Sequence, residues 1–428
     1  MEKPTILLVA AKWWPLSARM AIAFLKSGCS VAAICPLPHP ITFVEGIHVV
    51  YRYGASNSLA SLRHAIKSCR PDAVVPCDDG AASQCRALFE SDIALRSLLE
   101  RSLGPFSSYA ILDSRFAFLN IAESFGLRVP KTRLVHDRHD LAEWHGREGS
   151  TAVLKVNGDS GGTGVRICRS LDESAAALES LRAAPSRAAA LKRVVIDGDP
   201  LAPWLRQRPR EITVQEYIEG RPANTMVAAR EGRILALMSV FVVAADGPTG
   251  AATIVRVIND DRMRHAAEEI ATRLHMSGFF GLDFVVASAT GIPYLIEINP
   301  RCTQLGHIEL AGGRSLAATF ASALRGESSP EVFEAVSSQR IAFFPQALAG
   351  GTRCKPYLEA SYHDAPVGQP KLFTELLRSP WPQRGLLSRF YHAFNPVKMQ
   401  APSVYEELTG SEAVTGGVET LAVRSSPG

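Results

Sequence analysis

Three short apolar runs, set apart by stretches with helical spacing, dominate the first hundred residues and restrict what this chain can build. Residues 5–11 (TILLVAA) are followed by helical apolar spacing over Ser17 to Ser27 and a stop at Gly28. Ser30 to Cys35 ends at Pro36, and Leu59 to Ser68 leads into Asp72 to Pro76. Apolar runs without alternation suit strands buried on both faces. Strands and helices in alternation predict a small parallel sheet flanked by helices, with a ligand crevice at the strands' carboxyl ends. Asp78 and Asp79 fall at such an end, where capping the next helix is the plainer role for the pair. No GxGxxG follows residues 5–11, which argues against a dinucleotide-binding dehydrogenase.

The texture changes near Pro105. A helix from about Ser114 to Phe125 is stopped by Gly126, and an extended segment, Lys131 to Val135, follows Pro130. Beyond it Ala152 to Val156, Val165 to Cys168, Ile212 to Tyr217, Thr225 to Ala229, Ile234 to Val243, Phe284 to Ala287 and Tyr294 to Ile298 read as strands. Strands this dense, with few helices between them, imply antiparallel sheets. The expected division is a parallel α/β domain over 1–104 and an α+β domain over 105–335, with a lid of about 150–215. A carboxy-terminal extension over 336–428 opens with one strand, Arg340 to Pro345, and ends in a polar tail.

Composition excludes several classes of partner. Lys and Arg total 46 against 42 Asp and Glu, a scattered excess of +4, so neither a nucleic-acid nor a polybasic membrane surface is expected. The eight cysteines stand singly, without a CxxC pair, and read as reduced packing residues. Apolar stretches stay far short of the roughly 20 residues that cross a bilayer, and no secretion signal opens the chain, so a cytoplasmic protein is expected. A homodimer is the assembly considered.

Chemistry concentrates at two places. Val153-Leu154-Lys155-Val156 precedes Asn157-Gly158-Asp159-Ser160-Gly161-Gly162-Thr163-Gly164-Val165, a strand, a turn with four glycines in seven positions, and another strand. Backbone N–H groups in such a turn can cradle phosphate oxygens, and Lys155 can add a point charge; an ordinary loose hairpin is the alternative. Farther on, Phe279-Phe280-Gly281-Leu282-Asp283 precedes Leu295-Ile296-Glu297-Ile298-Asn299-Pro300-Arg301. Glu297 and Asn299, two apart, project from one strand face, and a hairpin can bring Asp283 alongside. Three such oxygen ligands suit Mg²⁺, with an exposed edge-strand face as the alternative. Between them, Gln215-Glu216-Tyr217-Ile218-Glu219-Gly220 ends a strand where a backbone carbonyl and N–H can meet a planar base.

Taken in order, Lys155 with its glycine turn, the QEYIEG strand end, and Asp283 followed by Glu297-x-Asn299-x-Arg301 resemble the ATP-grasp superfamily, of the carboxylate–amine ligase type that includes D-alanine:D-alanine ligase and biotin carboxylase. The resemblance covers about residues 1–330. It implies a parallel-sheet domain followed by two α+β subdomains that hold ATP. In that arrangement Lys155 contacts the phosphates, the turn with Gly161, Gly162, Thr163 and Gly164 closes over them, and Glu216, Tyr217 and Ile218 border adenine. Asp283, Glu297 and Asn299 would hold Mg²⁺, with Mn²⁺ as the alternative ion, and Arg301 would stabilise charge during phosphoryl transfer. Two positions depart from the pattern. Arg115 stands where the family has a second lysine, and Asn224 stands near the usual acidic ribose ligand, which leaves ribose recognition open.

The resemblance implies an ADP-forming ligase that activates a small carboxylic acid as an acyl phosphate and joins it to an amine. A small-molecule kinase and a non-catalytic ATP-binding regulator are the other readings. Gln304 and His307, just past the ligand strand, are the candidate substrate residues, with a helix cap or packed histidine as the plain alternative. Arg256, on the apolar strand Thr253 to Val257, is a candidate anchor for a substrate carboxylate or the γ-phosphate, with an interior salt bridge as the alternative.

Overall fold

The computed structural model describes residues 3–53, 57–157, 164–183, 211–246, 250–310, 314–327, 339–349, 355–358 and 361–378. Strands β1 (Thr5–Val9), β2 (Ser30–Cys35), β3 (Val49–Arg52) and β4 (Ala73–Pro76) form an all-parallel sheet in the order β3-β2-β1-β4. Helices α1 (Pro15–Lys26), α2 (Ser58–Cys69) and α3 (Asp79–Ser91) connect or follow them. Alternate residues of β1 enter opposite cores, Ile6 and Leu8 on one side and Leu7 and Val9 on the other, which is why the run carries no polar residue to expose. The half-buried β3 lies at the sheet's edge and has no matching apolar run to announce it.

Asp78 caps α3: its Oδ1 accepts the Ala81 N–H at 2.9 Å. Its Oδ2 accepts the N–H groups of Ala11 at 2.6 Å and Lys12 at 3.2 Å, fastening the loop after β1 to the end of β4. Helices α4 (Arg96–Leu103), α5 (Phe106–Leu112) and α6 (Arg115–Ser124) come next. Apolar packing runs straight through the texture change near 105: Leu99 and Leu103 share one core with Phe118, Leu119 and Phe280.

A four-stranded antiparallel sheet, ordered β5-β8-β6-β7, is built from β5 (Thr132–Leu134), β6 (Ala152–Val156), β7 (Val165–Cys168) and β8 (Ile212–Glu216). Two helices absent from the sequence expectation, α7 (Arg138–Glu148) and α8 (Leu171–Arg182), cover one face, where Trp144, Leu141 and Leu178 meet Leu154 and Val156. The sheet takes β5 from well before the expected lid span of 150–215.

The largest sheet has seven strands: β9 (Gly220–Arg230), β10 (Arg233–Ala245), β11 (Ala252–Ile258), β12 (Gly278–Ala287), β13 (Pro293–Asn299), β14 (Arg340–Phe343) and β15 (Tyr362–Asp364), ordered β13-β12-β9-β10-β11-β14-β15. All its pairings are antiparallel except β14 with β15. One face, with Met226, Ala228, Met238, Val240 and Phe279, packs in the same core as α1 and α10 (Leu316–Leu324). The other, with Val227, Ala229, Leu237, Phe280 and Leu282, packs with α4, α6 and α9 (Asp261–Arg273). Residues 340–364 therefore finish this sheet, whereas the sequence placed them in a separate extension. Among the described residues no helix is long and apolar enough to cross a membrane.

Candidate active site

Strand register gathers the polar side chains. Across β12 and β13, Asp283 stands opposite Glu297 and Gly281 opposite Asn299, while Asn224 of β9 stands opposite Asp283 on its other side. Directly opposed residues share a sheet face, so all four side chains belong to one surface. A β-bulge follows Asp283, where Phe284 pairs with Leu295; this sends Phe284 and Leu295 into the core behind while Glu297 stays beside Asp283. Gly281 is required by its neighbour: a Cβ there would come within 2.5 Å of the Thr303 methyl carbon. The Asn299 amide donates to Asp283 Oδ2 at 2.9 Å, and the Asn224 amide donates to Oδ1. Burial, followed by the charge of Glu297, pushes the Asp283 carboxyl up to about 6 against those hydrogen bonds.

Two cations face this surface from other elements. Lys155 sits on β6 with its side chain on the face turned away from α7 and α8, beside Thr213 and Gln215, and is 6% exposed. Burial and the nearby charge of Arg115 depress its ammonium to about 8, while Glu297 and Asp283 pull the other way. Arg115 is the first residue of α6, where the helix dipole disfavours a cation. It is held by Glu297, whose Oε1 accepts from Nη2 at 2.6 Å, and by the Val156 carbonyl at 3.4 Å. Ser114 caps the helix and donates to the Glu211 carboxylate at 2.8 and 2.9 Å, and the Asn157 amide donates to the Asp113 carbonyl. The start of α6 is thus tied to both the four-stranded sheet and the carboxylate strand.

Arg301 joins the parallel sheet to the same surface. Its Nε donates to Asp79 Oδ1 at 2.6 Å and its Nη2 to Asp79 Oδ2 at 3.1 Å and to Asn299 Oδ1 at 3.1 Å. Burial works against the Asp79 charge, yet the Arg301 guanidinium holds that carboxyl below its usual range. The two neighbouring aspartates therefore divide the roles considered for them: Asp78 caps a helix and Asp79 faces the strand carrying Asn299.

Other predicted residues fall in different places. Gly161, Gly162 and Thr163 lie outside the described residues; the Gly164 carbonyl accepts the Val156 N–H at 2.9 Å. Glu216 ends β8, and only Tyr217, Ile218 and Glu219 separate it from β9, so this strand end links the four-stranded and seven-stranded sheets directly. Asn224 lies among the carboxylates, with its amide on Asp283, a partnership that its place in the sequence near the usual ribose ligand does not announce. Gln304 is half-buried, and its Nε2 has no hydrogen-bond partner among the described residues. His307 is buried with Nε2 2.7 Å from Asp364 Oδ2, and Asp364 also pairs with Arg19.

Arg256 requires a correction. It pairs in register with Phe241, which pairs with Ala223, whereas the row containing Asp283 runs through Asn224 and Val240. Neighbouring residues of a strand point to opposite faces, so Arg256 lies on the far side of the seven-stranded sheet from Asp283 and cannot anchor a group held there. Asp79, Asp364 and Arg19 are the partners that sequence reasoning did not supply. Of these only Asp79, at a strand's carboxyl end, carried a signal.

Residues 116–304 match the family described as the ATP-grasp domain. No curated protein matches the sequence. Among solved structures, N5-carboxyaminoimidazole synthetase from Staphylococcus aureus complexed with ADP is similar over 77% of this chain and 80% of its own, with a TM-score of 0.55 and 17% identity. Biotin carboxylase from Campylobacter jejuni is similar over 77% and 72%, with a TM-score of 0.55 and 14% identity. An L-amino acid ligase from Bacillus licheniformis is similar over 76% of each chain, with a TM-score of 0.55 and 16% identity.

Proposed function

From the premise that residues 116–304 of this chain are an ATP-grasp domain, we propose that the protein is an ADP-forming ligase that activates a small carboxylic acid and couples it to an amine. The observation that carries the reading is the meeting of Lys155 and Arg115, from the four-stranded sheet and α6, with Asp283, Glu297 and Asn299 on one face of the seven-stranded sheet. The three similar structures named above are of a synthetase, a carboxylase and a ligase, and the first holds ADP.

Two half-buried carboxylates side by side, one of them pushed up to about 6 by burial and then by the charge of the other, fit a divalent cation, because a cation favours the charged form of both. Asp283, Glu297 and Asn299 would hold Mg²⁺, which when bound offsets the charge of the nucleotide phosphates. Lys155 and Arg115 then place positive charge on those phosphates, and Arg115 exchanges Glu297 for a phosphate oxygen. A substrate carboxylate oxygen attacks the γ-phosphorus as the bond to the ADP oxygen breaks, giving an acyl phosphate. An amine nitrogen next attacks the acyl carbon, phosphate departs with the C–O bonding pair, and the nitrogen loses a proton to form the amide. Arg301, braced by Asp79, is placed to stabilise charge on the transferring group. No protein nucleophile is needed.

A screen of carboxylic acids, amino acids among them, against amines, read by ADP release and product mass, tests this. A product heavier by the condensed amine, with ADP and phosphate released in equal amounts, is expected. A phosphorylated hydroxyl product would identify a kinase instead, and nucleotide binding without any turnover across the screen would identify a regulator.

A further inference from the structure

The face of the seven-stranded sheet turned away from Asp283 carries a set of arginines that the proposed reaction does not use. Arg256 of β11 stands directly opposite Arg340 of β14, and on its other side opposite Phe241 of β10. The Arg256 guanidinium lies 5.7 Å from the Phe241 ring centre, and that of Arg221 of β9 lies 5.1 Å from the same ring. The Arg340 guanidinium lies 5.9 Å from the ring of Tyr357, in the short helix Lys355–Leu358.

Like charges directly opposed on neighbouring strands are destabilising, and are usually relieved by a carboxylate. On the adjacent helix α9 that relief is present: Arg262 pairs with Asp260, Arg264 with Asp261 and Arg273 with Glu269. Among the described residues no carboxylate pairs with Arg221, Arg256 or Arg340. Their contacts are to aromatic faces, and an arginine stacked on a ring uses its planar face and keeps the N–H donors of its edge. The backbones of Arg256 and Arg340 face each other about 5 Å apart across the strand pair, and among the described residues neither guanidinium is paired with a carboxylate. A phosphoryl group matches guanidinium forks in geometry, and its double negative charge offsets two guanidiniums where a single carboxylate would offset one.

We propose that Arg256 and Arg340, with Arg221 steadying the Phe241 ring, form a binding site for a phosphoryl dianion, free or carried on a small molecule, on the sheet face opposite the reaction centre. The site is independent of the ligase reading and stands or falls without it.

Calorimetric titration of the full chain with inorganic phosphate and, separately, with O-phosphoserine tests it, at about 0.15 M salt to screen diffuse attraction and with saturating MgADP to occupy the nucleotide site. Saturable one-site binding is expected, weakened at least tenfold by Arg256→Gln and by Arg340→Gln and unaffected by Arg138→Gln on α7. Tighter binding of O-phosphoserine would identify a phosphorylated small molecule as the occupant, and tighter binding of inorganic phosphate the free anion. Without phosphate, both variants should unfold at the wild-type temperature or above it, because a like-charge contact is gone. No saturable binding, or equal binding by wild type and variants, overturns the proposal. Should Arg256→Gln fail to fold, Arg340→Gln decides alone.

Discussion

Arg301 and Asp79 are 222 residues apart in sequence and meet in a two-pronged ion pair, at 2.6 and 3.1 Å. The pair spans the gap between the end of β4 and the end of β13, and a third hydrogen bond runs from Arg301 to Asn299. Replacing Asp79 by alanine leaves the arginine, whose side chain is 18% exposed, without its carboxylate, while Asp79 itself is 32% exposed and screened in part by water. A loss of about 1–3 kcal/mol is expected. Denaturant unfolding measures it, and the Arg301→Met, Asp79→Leu double variant should recover part of the loss. A double variant no better than Asp79→Ala would show that the pair is not what holds these two ends together.

Lys155 pays for its position in the apo protein, since burial and Arg115 bring its ammonium from 10.5 down to about 8. A group whose charged form is disfavoured on folding destabilises the folded state while it is charged. Lys155→Ala should therefore leave the apo unfolding temperature unchanged or raise it. The same substitution should weaken ATP binding by about 10- to 100-fold, the usual cost of losing one charge-assisted contact. Fluorescence titration with a nucleotide analogue checks this; unaltered affinity would remove Lys155 from the phosphate site.

Glu297 has two partners to satisfy, Arg115 now and a cation in the proposed reaction. Glu297→Gln keeps an oxygen for the Arg115 hydrogen bond but removes the charge, so the fold should persist with a loss of about 1–3 kcal/mol. Metal-dependent ATP turnover should fall by at least 100-fold. Retention of full turnover in the variant would show that the carboxylate holds no metal.

How far the sequence could reach follows from what each residue type reveals locally. Glu297 and Asn299 were legible because a two-residue step fixes a shared face and because polar groups between isoleucines demand a partner. The helix opening at Arg115 was legible from Ser114 and Gly126, a cap and a stop at the proper spacing. Arg256 was misread because one residue on an apolar strand does not say which face is which; that depends on Phe241 and Asn224, two strands that the sequence could not place in register. Helices α7 and α8 were hidden because their charged outer faces dilute the apolar period. The partner of His307 was hidden more thoroughly, since Asp364 enters from β15, beyond three intervening helices and a strand among the described residues.

His307 lends itself to a pH test because its surroundings oppose each other. Burial pulls the imidazole below its usual 6.5, although Asp364 accepts from it, and Arg19 adds to the depression. The native state then binds fewer protons than the unfolded chain wherever the unfolded histidine is charged. Stability from this group is complete above about pH 6.5 and is lost as pH falls through that value, with a slope of at most about 1.4 kcal/mol per pH unit for one proton. Asp364 adds nothing to this window, because its carboxyl is held below 3.8 by His307 and Arg19 against burial and titrates only in stronger acid. Wild-type protein should therefore lose more stability between pH 7.5 and 5.5 than His307→Gln, whose amide cannot take up a proton. Unfolding curves at matched ionic strength measure the difference. Parallel declines in the two proteins would assign the acid sensitivity to other groups and leave His307 charged in the folded state.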